Sequence, residues 1–114
     1  MNLRAPVRAV SHMRFYKGEV LIEFRQYADS DATAIVFMAP DYSGERICTA
    51  TVNITNERGG VTLPPDEIAL KGYSENEGVR ETLEAAGIIG ATPIAVIRLP
   101  FVVIPIFKLL PEVE

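Results

Sequence analysis

Residues 74–88 decide the fold, and they read Ser-Glu-Asn-Glu-Gly-Val-Arg-Glu-Thr-Leu-Glu-Ala-Ala-Gly-Ile. The first four residues form a capping box. The hydroxyl of Ser74 can accept a hydrogen bond from the backbone N–H of Glu77, and the Glu77 carboxylate can accept one from the N–H of Ser74. These reciprocal bonds satisfy amides that the start of a helix leaves without partners. The sequence therefore predicts that a helix begins at about residue 75.

The residues after the capping box carry an apolar stripe at helical spacing. The stripe consists of Val79, Leu83 and Ala86, which lie on one face of a helix. Gly87 is the residue type that most readily ends a helix in the left-handed conformation, and Ile88 is placed to fold back on the last turn. We therefore expect one helix over about residues 75–86.

Apolar runs predict β-strands on both sides of this helix. In residues 20–27, the apolar Val20, Ile22 and Phe24 alternate with other residues, which is the period-two pattern of a half-buried strand. Short turns separate the first three runs and favour antiparallel neighbours. The other runs are residues 33–38, 46–54, 67–71 and 101–109, and residues 94–99 form either a further strand or an extended connection.

Together these patterns predict an α+β domain with the element order β-β-β-β-α-β. Its mostly antiparallel sheet has five to six strands, and the helix packs on one face. Pro105 predicts an edge position or a bulge for the last strand, because proline cannot donate a ladder hydrogen bond. We expect residues 1–12 to be a flexible arm and residues 13–114 to be the single domain.

The composition argues against several functional classes. The chain has 114 residues, enough for one domain, and 15 acidic against 11 basic residues give a net charge of −4. This balance argues against binding nucleic acid mainly through phosphate. One cysteine and one histidine supply neither an internal disulfide nor a Cys/His metal site. We therefore expect no metal, no cofactor and no enzymatic activity.

Neither a signal peptide nor a membrane span is indicated. The most apolar stretch, residues 94–110, is interrupted by Arg98, Pro100, Pro105 and Lys108. A spanning helix needs about 20 apolar residues with few charges, and the two prolines would break it. The N-terminal residues also lack the unbroken apolar run of a signal peptide. We expect a cytoplasmic protein with no membrane partner.

The block Tyr-Ser-Glu-Asn-Glu-Gly at residues 73–78 follows a strand that ends near Lys71, and Ala-Gly-Ile follows at residues 86–88. In this layout the chain resembles a family of short bacterial proteins, many of them on mobile elements, known as a domain of unknown function. The resemblance covers about residues 14–110 and implies a shared fold and genomic neighbourhood, with no catalytic residues. A small acidic protein of this kind is also similar to anti-CRISPR-like phage inhibitors of host defence.

Acidic residues concentrate around the predicted helix. Residues 66–84 carry six acidic and two basic residues, a net charge of −4. One interpretation is a solvated face that aids solubility. The other is an acidic surface that binds a protein partner with a basic surface, such as the nucleic-acid channel of a host defence complex. The candidate partner-binding residues are Asp66, Glu67, Glu75, Asn76, Glu77, Glu81 and Glu84.

Nucleic-acid binding by the basic N-terminal third is the alternative function. Residues 1–25 carry five basic residues against two acidic ones, a net charge of +3, whereas the remainder of the chain has a net charge of −7. These basic residues have no regular spacing, which weakens the alternative. The candidate contacts are Arg8, Arg14, Lys17 and Arg25.

Two further features predict close contacts. Gly78 lies in the first turn of the predicted helix, where glycine costs up to about 1 kcal/mol relative to alanine. Either close approach of another backbone or a partner, or tight packing of the helix on the sheet, explains it. The strand from Phe101 to Leu110 is apolar on both faces, so either the helix and N-terminal arm or a second copy covers it. We expect a homodimer through this strand.

Overall fold

The computed structural model describes residues 4–28, 32–41, 43–52, 63–73 and 76–111. These residues form an α+β fold dominated by antiparallel strands, as the sequence predicts. Their elements, in chain order, are β1 (Val7–Val10), β2 (Glu19–Gln26), β3 (Thr33–Met38), β4 (Arg46–Thr49), β5 (Glu67–Ala69), α1 (Val79–Ala85), β6 (Ala95–Arg98) and β7 (Val103–Lys108).

The strands form two antiparallel sheets rather than the one sheet expected. The first has the order β1-β2-β3-β4, and the second has the order β5-β7-β6. An isolated bridge between Thr51 and Leu70 joins them. It is flanked by hydrogen bonds of 2.8 Å from the Val52 N–H to the Ala69 carbonyl and from the Lys71 N–H to the Ala50 carbonyl. The chain after β4 therefore continues the first sheet into the second.

Strand β1 lies within the segment expected to be a flexible arm. Val7 pairs with Ile22 and Ala9 pairs with Val20, so the two β1 side chains face the same side as two buried residues of β2. Arg8 between them is exposed. Four residues are too short a run for this alternation to stand out in the sequence. The strand is recognised only from its pairing with β2. Residues 1–3 of the expected arm lie outside the described residues.

The main core lies between the first sheet, one face of the second sheet and α1. Val79 and Leu83, two members of the predicted helical stripe, are fully buried, whereas Ala86 is partly buried. Phe37 of β3 and Phe107 of β7 are the largest fully buried side chains. A second, smaller cluster covers the opposite face of the second sheet and contains Leu63, Ala69, Ile104 and Ile106.

The helix begins later than its capping box predicts. Its N-cap residue is Gly78, which has a φ of 100° and makes no side-chain cap hydrogen bond, and Glu77 lies before the helix. Ser74 and Glu75 lie outside the described residues. The predicted end is confirmed, because Gly87 has a φ of 75° and its N–H donates to the Glu84 carbonyl at 3.0 Å.

The late start of α1 coincides with a crossing of two chain segments at Gly78. A Cβ on Gly78 would lie 2.3 Å from the His12 carbonyl oxygen and 2.5 Å from the Met13 Cα. The His12 N–H donates to the hydroxyl of Thr82 at 2.9 Å, and that hydroxyl donates to the Gly78 carbonyl at 2.9 Å. Of the two explanations for this glycine, the structure therefore shows the approach of another backbone.

Strand β7 is the central strand of its sheet and pairs in unbroken register with both neighbours, so neither the edge position nor the bulge predicted from Pro105 is found there. The Leu70 N–H donates to the Pro105 carbonyl at 3.0 Å, but Pro105 has no N–H to return the bond. The pairing of β5 with β7 ends at Ala69, and the next residue, Leu70, forms the bridge to Thr51. The proline thus lies where one neighbouring strand ends, which is why a central strand tolerates it.

The crossing predicts a large cost for a side chain at residue 78. We expect Gly78→Ala to lower the free energy of unfolding by about 3 kcal/mol, since it adds an overlap with backbone to an unfavourable positive φ. Gly18→Ala is the matched control: Gly18 has a φ of 112° but no atom within 4 Å of the added Cβ. It should cost about 1 kcal/mol. Equal losses in urea unfolding would contradict the crossing.

Candidate functional site

Among the described residues, exposed apolar side chains are concentrated in a patch on the hairpin formed by β6 and β7. We call this patch the hairpin face and define it by Ile94, Val96, Phe101 and Val103. Phe101 is 100% exposed, and the other three side chains are each about half exposed. These residues are half of the eight exposed large hydrophobic residues in the described part of the chain. Such a concentration is typical of an interaction surface.

The main core buries only one end of the sheet face on which Val103 lies. In β7 the side chains of Val103, Pro105 and Phe107 share one face, since they alternate with Ile104 and Ile106. Phe107 is fully buried in the main core, where the Arg80 guanidinium of α1 lies 5.0 Å from the centre of its ring, whereas Val103 is half exposed.

The tip of the hairpin presents Phe101 in a tight turn. The Leu99 N–H donates to the Val102 carbonyl at 2.9 Å, so Pro100 and Phe101 are the two loop residues. Proline at the first of these positions restricts φ. The opposite face of the hairpin is closed by the second cluster, in which Ile104 is buried. The hairpin face is therefore held by a packed layer and is formed before any partner binds.

A second candidate surface is an open cleft of about 350 Å³ around the start of α1, which we call the Gly78 cleft. It brings the predicted acidic contacts Glu77 and Glu81 next to Arg14 and Lys17, two candidates for nucleic-acid binding. The Arg14 guanidinium lies 3.3 Å from the Glu77 carboxylate, and both side chains are mostly exposed. The cleft therefore has mixed charge rather than a single sign. His12 and Gly78 complete its lining.

The other predicted acidic contacts lie on separate elements. Asp66 is 3.7 Å from the Lys108 ammonium, and the Glu84 carboxylate is 3.1 Å from the Arg80 guanidinium. Glu67 is partly buried in β5, and Glu75 lies outside the described residues. Three of the predicted acids, including Glu77, are thus balanced by cations of this chain. Whether the acids bind a partner stays a prediction.

Asn76 is buried and joins three parts of the chain. Only 1% of it is exposed, and its Nδ2 donates to the Thr49 carbonyl at 2.7 Å and to the Lys71 carbonyl at 3.0 Å. Its own N–H donates to the Tyr73 carbonyl at 3.1 Å. The amide therefore fixes the approach to α1 against the chain at β4 and after β5. These contacts within the chain explain why a polar residue is buried here, and they require no binding partner.

The basic candidates are spread over several elements, and most are paired. Arg8 of β1 lies 2.7 Å from Glu19, and Arg25 of β2 lies 2.7 Å from Glu23. Lys17 is exposed at the Gly78 cleft. Phosphate binding by either of these arginines would have to compete with a carboxylate that is already in contact. The geometry does not favour nucleic-acid binding over protein binding.

Cys48 and His12, the one cysteine and the one histidine of the chain, lie in different surroundings. Cys48 of β4 is buried, and its sulfur lies 4.0 Å from the Met13 sulfur within the main core. Burial in apolar surroundings is typical of a cysteine that packs as a small hydrophobic residue. His12 is exposed at the Gly78 cleft. Among the described residues, no group of three or more His, Cys, Asp or Glu could hold a metal ion.

Comparison of the chain with protein-family models, with curated proteins and with solved structures found no match. The resemblance based on the block at residues 73–78 therefore stays a prediction. Within the described segments, no helix has the length and apolar character needed to cross a membrane.

Sequence reasoning placed Phe101 in the last strand, whereas it lies in the turn before β7. It left residues 94–99 as either a strand or a connection and so missed the exposure of Ile94 and Val96. A signal that could have found them is Pro100, because a proline between two apolar runs favours a turn at that point. A hairpin at this position makes residues 94–99 an edge strand. The exposed residues of both strands then follow from the period of two.

The contacts of Asn76 predict that its amide is structural. In Asn76→Asp, two donated hydrogen bonds are lost and a carboxylate faces two carbonyl oxygens, so we expect a loss of about 3 kcal/mol in the free energy of unfolding. Glu77→Gln, in the same turn but exposed, should change it by less than about 1 kcal/mol. Urea unfolding measures both. If the two variants were equally stable, the structural role of Asn76 would be wrong.

Proposed function

We propose that the protein is a non-enzymatic binding module that recognises a protein partner through the hairpin face. The observation that carries the proposal is Phe101, a fully exposed aromatic residue at the tip of a packed hairpin. Aromatic residues often supply a large share of the binding energy in protein interfaces. Because the hairpin is already ordered by the second cluster, binding costs little conformational entropy.

Charge adds a preference for a basic partner. Residues 94–107 contain one charged residue, Arg98, so the acidic residues that give the chain its net charge of −4 lie outside the hairpin. The electric field of this net negative charge accelerates the encounter with a positively charged surface, while the apolar contact supplies most of the affinity. The acidic residues Glu77 and Glu81 at the Gly78 cleft are the candidates for this steering role.

The partner class that we propose is a host nucleoprotein complex of the defence type, with the protein acting as its inhibitor. The acidic net charge supports this class. The resemblance to small mobile-element proteins, which stays a prediction, points to the same class. A basic channel that normally holds nucleic acid offers the complementary charge. An apolar recess near that channel would accept Phe101.

Replacement of Phe101 tests this function. We expect Phe101→Ser to lower the affinity for the captured partner at least about tenfold, since an aromatic anchor contributes about 2 kcal/mol or more. Phe15→Ser is the matched control, because Phe15 is 66% exposed and lies outside the hairpin. Affinity capture from host lysate with quantitative mass spectrometry identifies the partner, and titration with the purified partner gives the affinities.

The same assay distinguishes the contribution of the hairpin face to partner binding from that of the acidic residues. Reversal of Glu77, Glu81 and Glu84 to Lys should slow association and flatten its salt dependence, with a smaller loss of affinity than Phe101→Ser. Circular dichroism checks that the variant folds. Capture that depends on the three acids but not on Phe101 would contradict the hairpin face as the binding surface.

A further inference from the structure

Arg98 is the one arginine of the described segments whose guanidinium group has no hydrogen bond, ion pair or ring contact within them. Seven arginines lie in these segments, and the guanidinium groups of the other six are all engaged. Arg8, Arg14, Arg25 and Arg80 lie against carboxylates, Arg4 donates to the Leu110 carbonyl, and Arg46 donates to the Thr49 hydroxyl. The exposed charge of Arg98 is therefore left unmatched by this part of the chain.

Arg98 lies on the same side of the hairpin as the hairpin face. Because side chains alternate along a strand, Arg98 shares a side of β6 with Val96, and the register pairs it with Val103. The Leu99 N–H bonds to the Val102 carbonyl, so the neighbouring pair of Arg98 and Val103 is of the kind without direct hydrogen bonds, whose side chains lie closest together. One cation thus lies beside an apolar surface, in a hairpin that holds no other charge.

We propose that the partner places a carboxylate against Arg98, so that the segment recognised by the hairpin face combines apolar side chains with one Asp or Glu. This inference rests on the proposed function, because it names the chemistry that the same surface selects. A partner that covers the hairpin face displaces water from the guanidinium, and an ion that loses water without gaining a partner is strongly disfavoured. A carboxylate compensates for this loss, since its two oxygens match the planar N–H groups of arginine.

The anion is a protein carboxylate rather than a nucleic-acid phosphate. Phosphate-driven binding draws on several cations along a backbone, whereas residues 94–107 supply Arg98 alone. Ile94, Val96 and Val103 offer aliphatic surface, which packs against protein side chains and provides no stacking platform for bases. The net charge of −4 also repels a chain of phosphates.

A second copy of this chain does not supply the carboxylate through the same surface. All 15 acidic residues lie outside residues 94–107, so two copies in contact through their hairpins alone would leave both guanidinium groups unmatched. The homodimer expected through the strand from Phe101 to Leu110 stays a prediction, and the occupant proposed for the hairpin face is a different protein.

The carboxylate is compatible with a partner whose surface is basic as a whole. Electrostatic steering depends on the summed charge of that surface, whereas Arg98 pairs with one group in direct contact. The acid would belong to the apolar recess that accepts Phe101, beside the basic surface that attracts the acidic residues of this chain.

Selection from a random peptide library displayed on phage tests the inference with the full chain as bait. Peptides selected by the unmodified chain should combine apolar residues with Asp or Glu, although a net charge of −4 by itself favours basic peptides. Arg98→Gln should lose the acidic preference and keep the apolar one. Arg46→Gln is the matched control, because it removes the same charge from an exposed arginine of β4, and it should select the same peptides as the unmodified chain.

A synthetic copy of a selected peptide, titrated by fluorescence anisotropy, gives the size of the effect. We expect Arg98→Gln to weaken binding at least about tenfold, as does replacement of the peptide's acid by its amide, since each change leaves one charge covered and unpaired. The two changes together should weaken binding no more than either alone, because they remove the same contact. Circular dichroism checks that the variants fold.

The outcomes separate this inference from the proposed function. Selected peptides that depend on Phe101 but carry no acid would overturn the inference and leave the proposed function standing. Acidic peptides that bind Arg98→Gln as tightly as the unmodified chain, or losses that multiply in the titration, would overturn it as well. Selection that yields no peptide sensitive to Phe101→Ser would contradict the hairpin face as the binding surface, and the inference with it.

Discussion

The close passage of the His12 and Met13 backbone over Gly78 is the constraint on which the rest of the structure depends. No side chain fits between the two segments, and the glycine adopts a φ that other residues disfavour. The helix can therefore begin only after the crossing, and it is reduced to the seven residues of α1. The hydroxyl of Thr82, bonded to both segments, holds the crossing in place.

The main core determines which surfaces are buried. It contains Val79 and Leu83 of α1 and Phe107 of β7, so it buries one end of the second sheet and extends beneath the first sheet. At the other end of the same sheet face, Val96 and Val103 are half exposed. Since the second cluster packs the reverse side of β7, the hairpin is ordered while its outer face stays exposed. The proposed binding function arises from this incomplete coverage.

Local patterns in the sequence predicted much of the fold. The stripe of Val79 and Leu83 and the glycine at residue 87 located the helix and its end, because these signals act within a few residues. The helix start was placed too early, since the segment that determines it lies more than 60 residues away in the chain. The central position of β7 was missed for the same reason: strand order depends on pairing between distant segments.

The candidate site was harder to predict than the fold. Charge density along the chain singled out the acids of residues 66–84, but their partners Arg14 and Lys108 come from distant segments. Asn76 was predicted to contact a partner because it is polar, but its side chain is buried in the interior. A local turn signal can place the hairpin, but which of its sides is packed by the second cluster depends on residues such as Leu63 and Ala69 from distant segments.

Hydrogen–deuterium exchange of the free and partner-bound protein tests the central claim most directly, because it locates the contact without changing a residue. The account predicts that binding slows exchange in β6, in β7 and in the turn at Phe101, and leaves α1 unchanged. Slower exchange confined to α1 and the Gly78 cleft, with the hairpin unaffected, would contradict it.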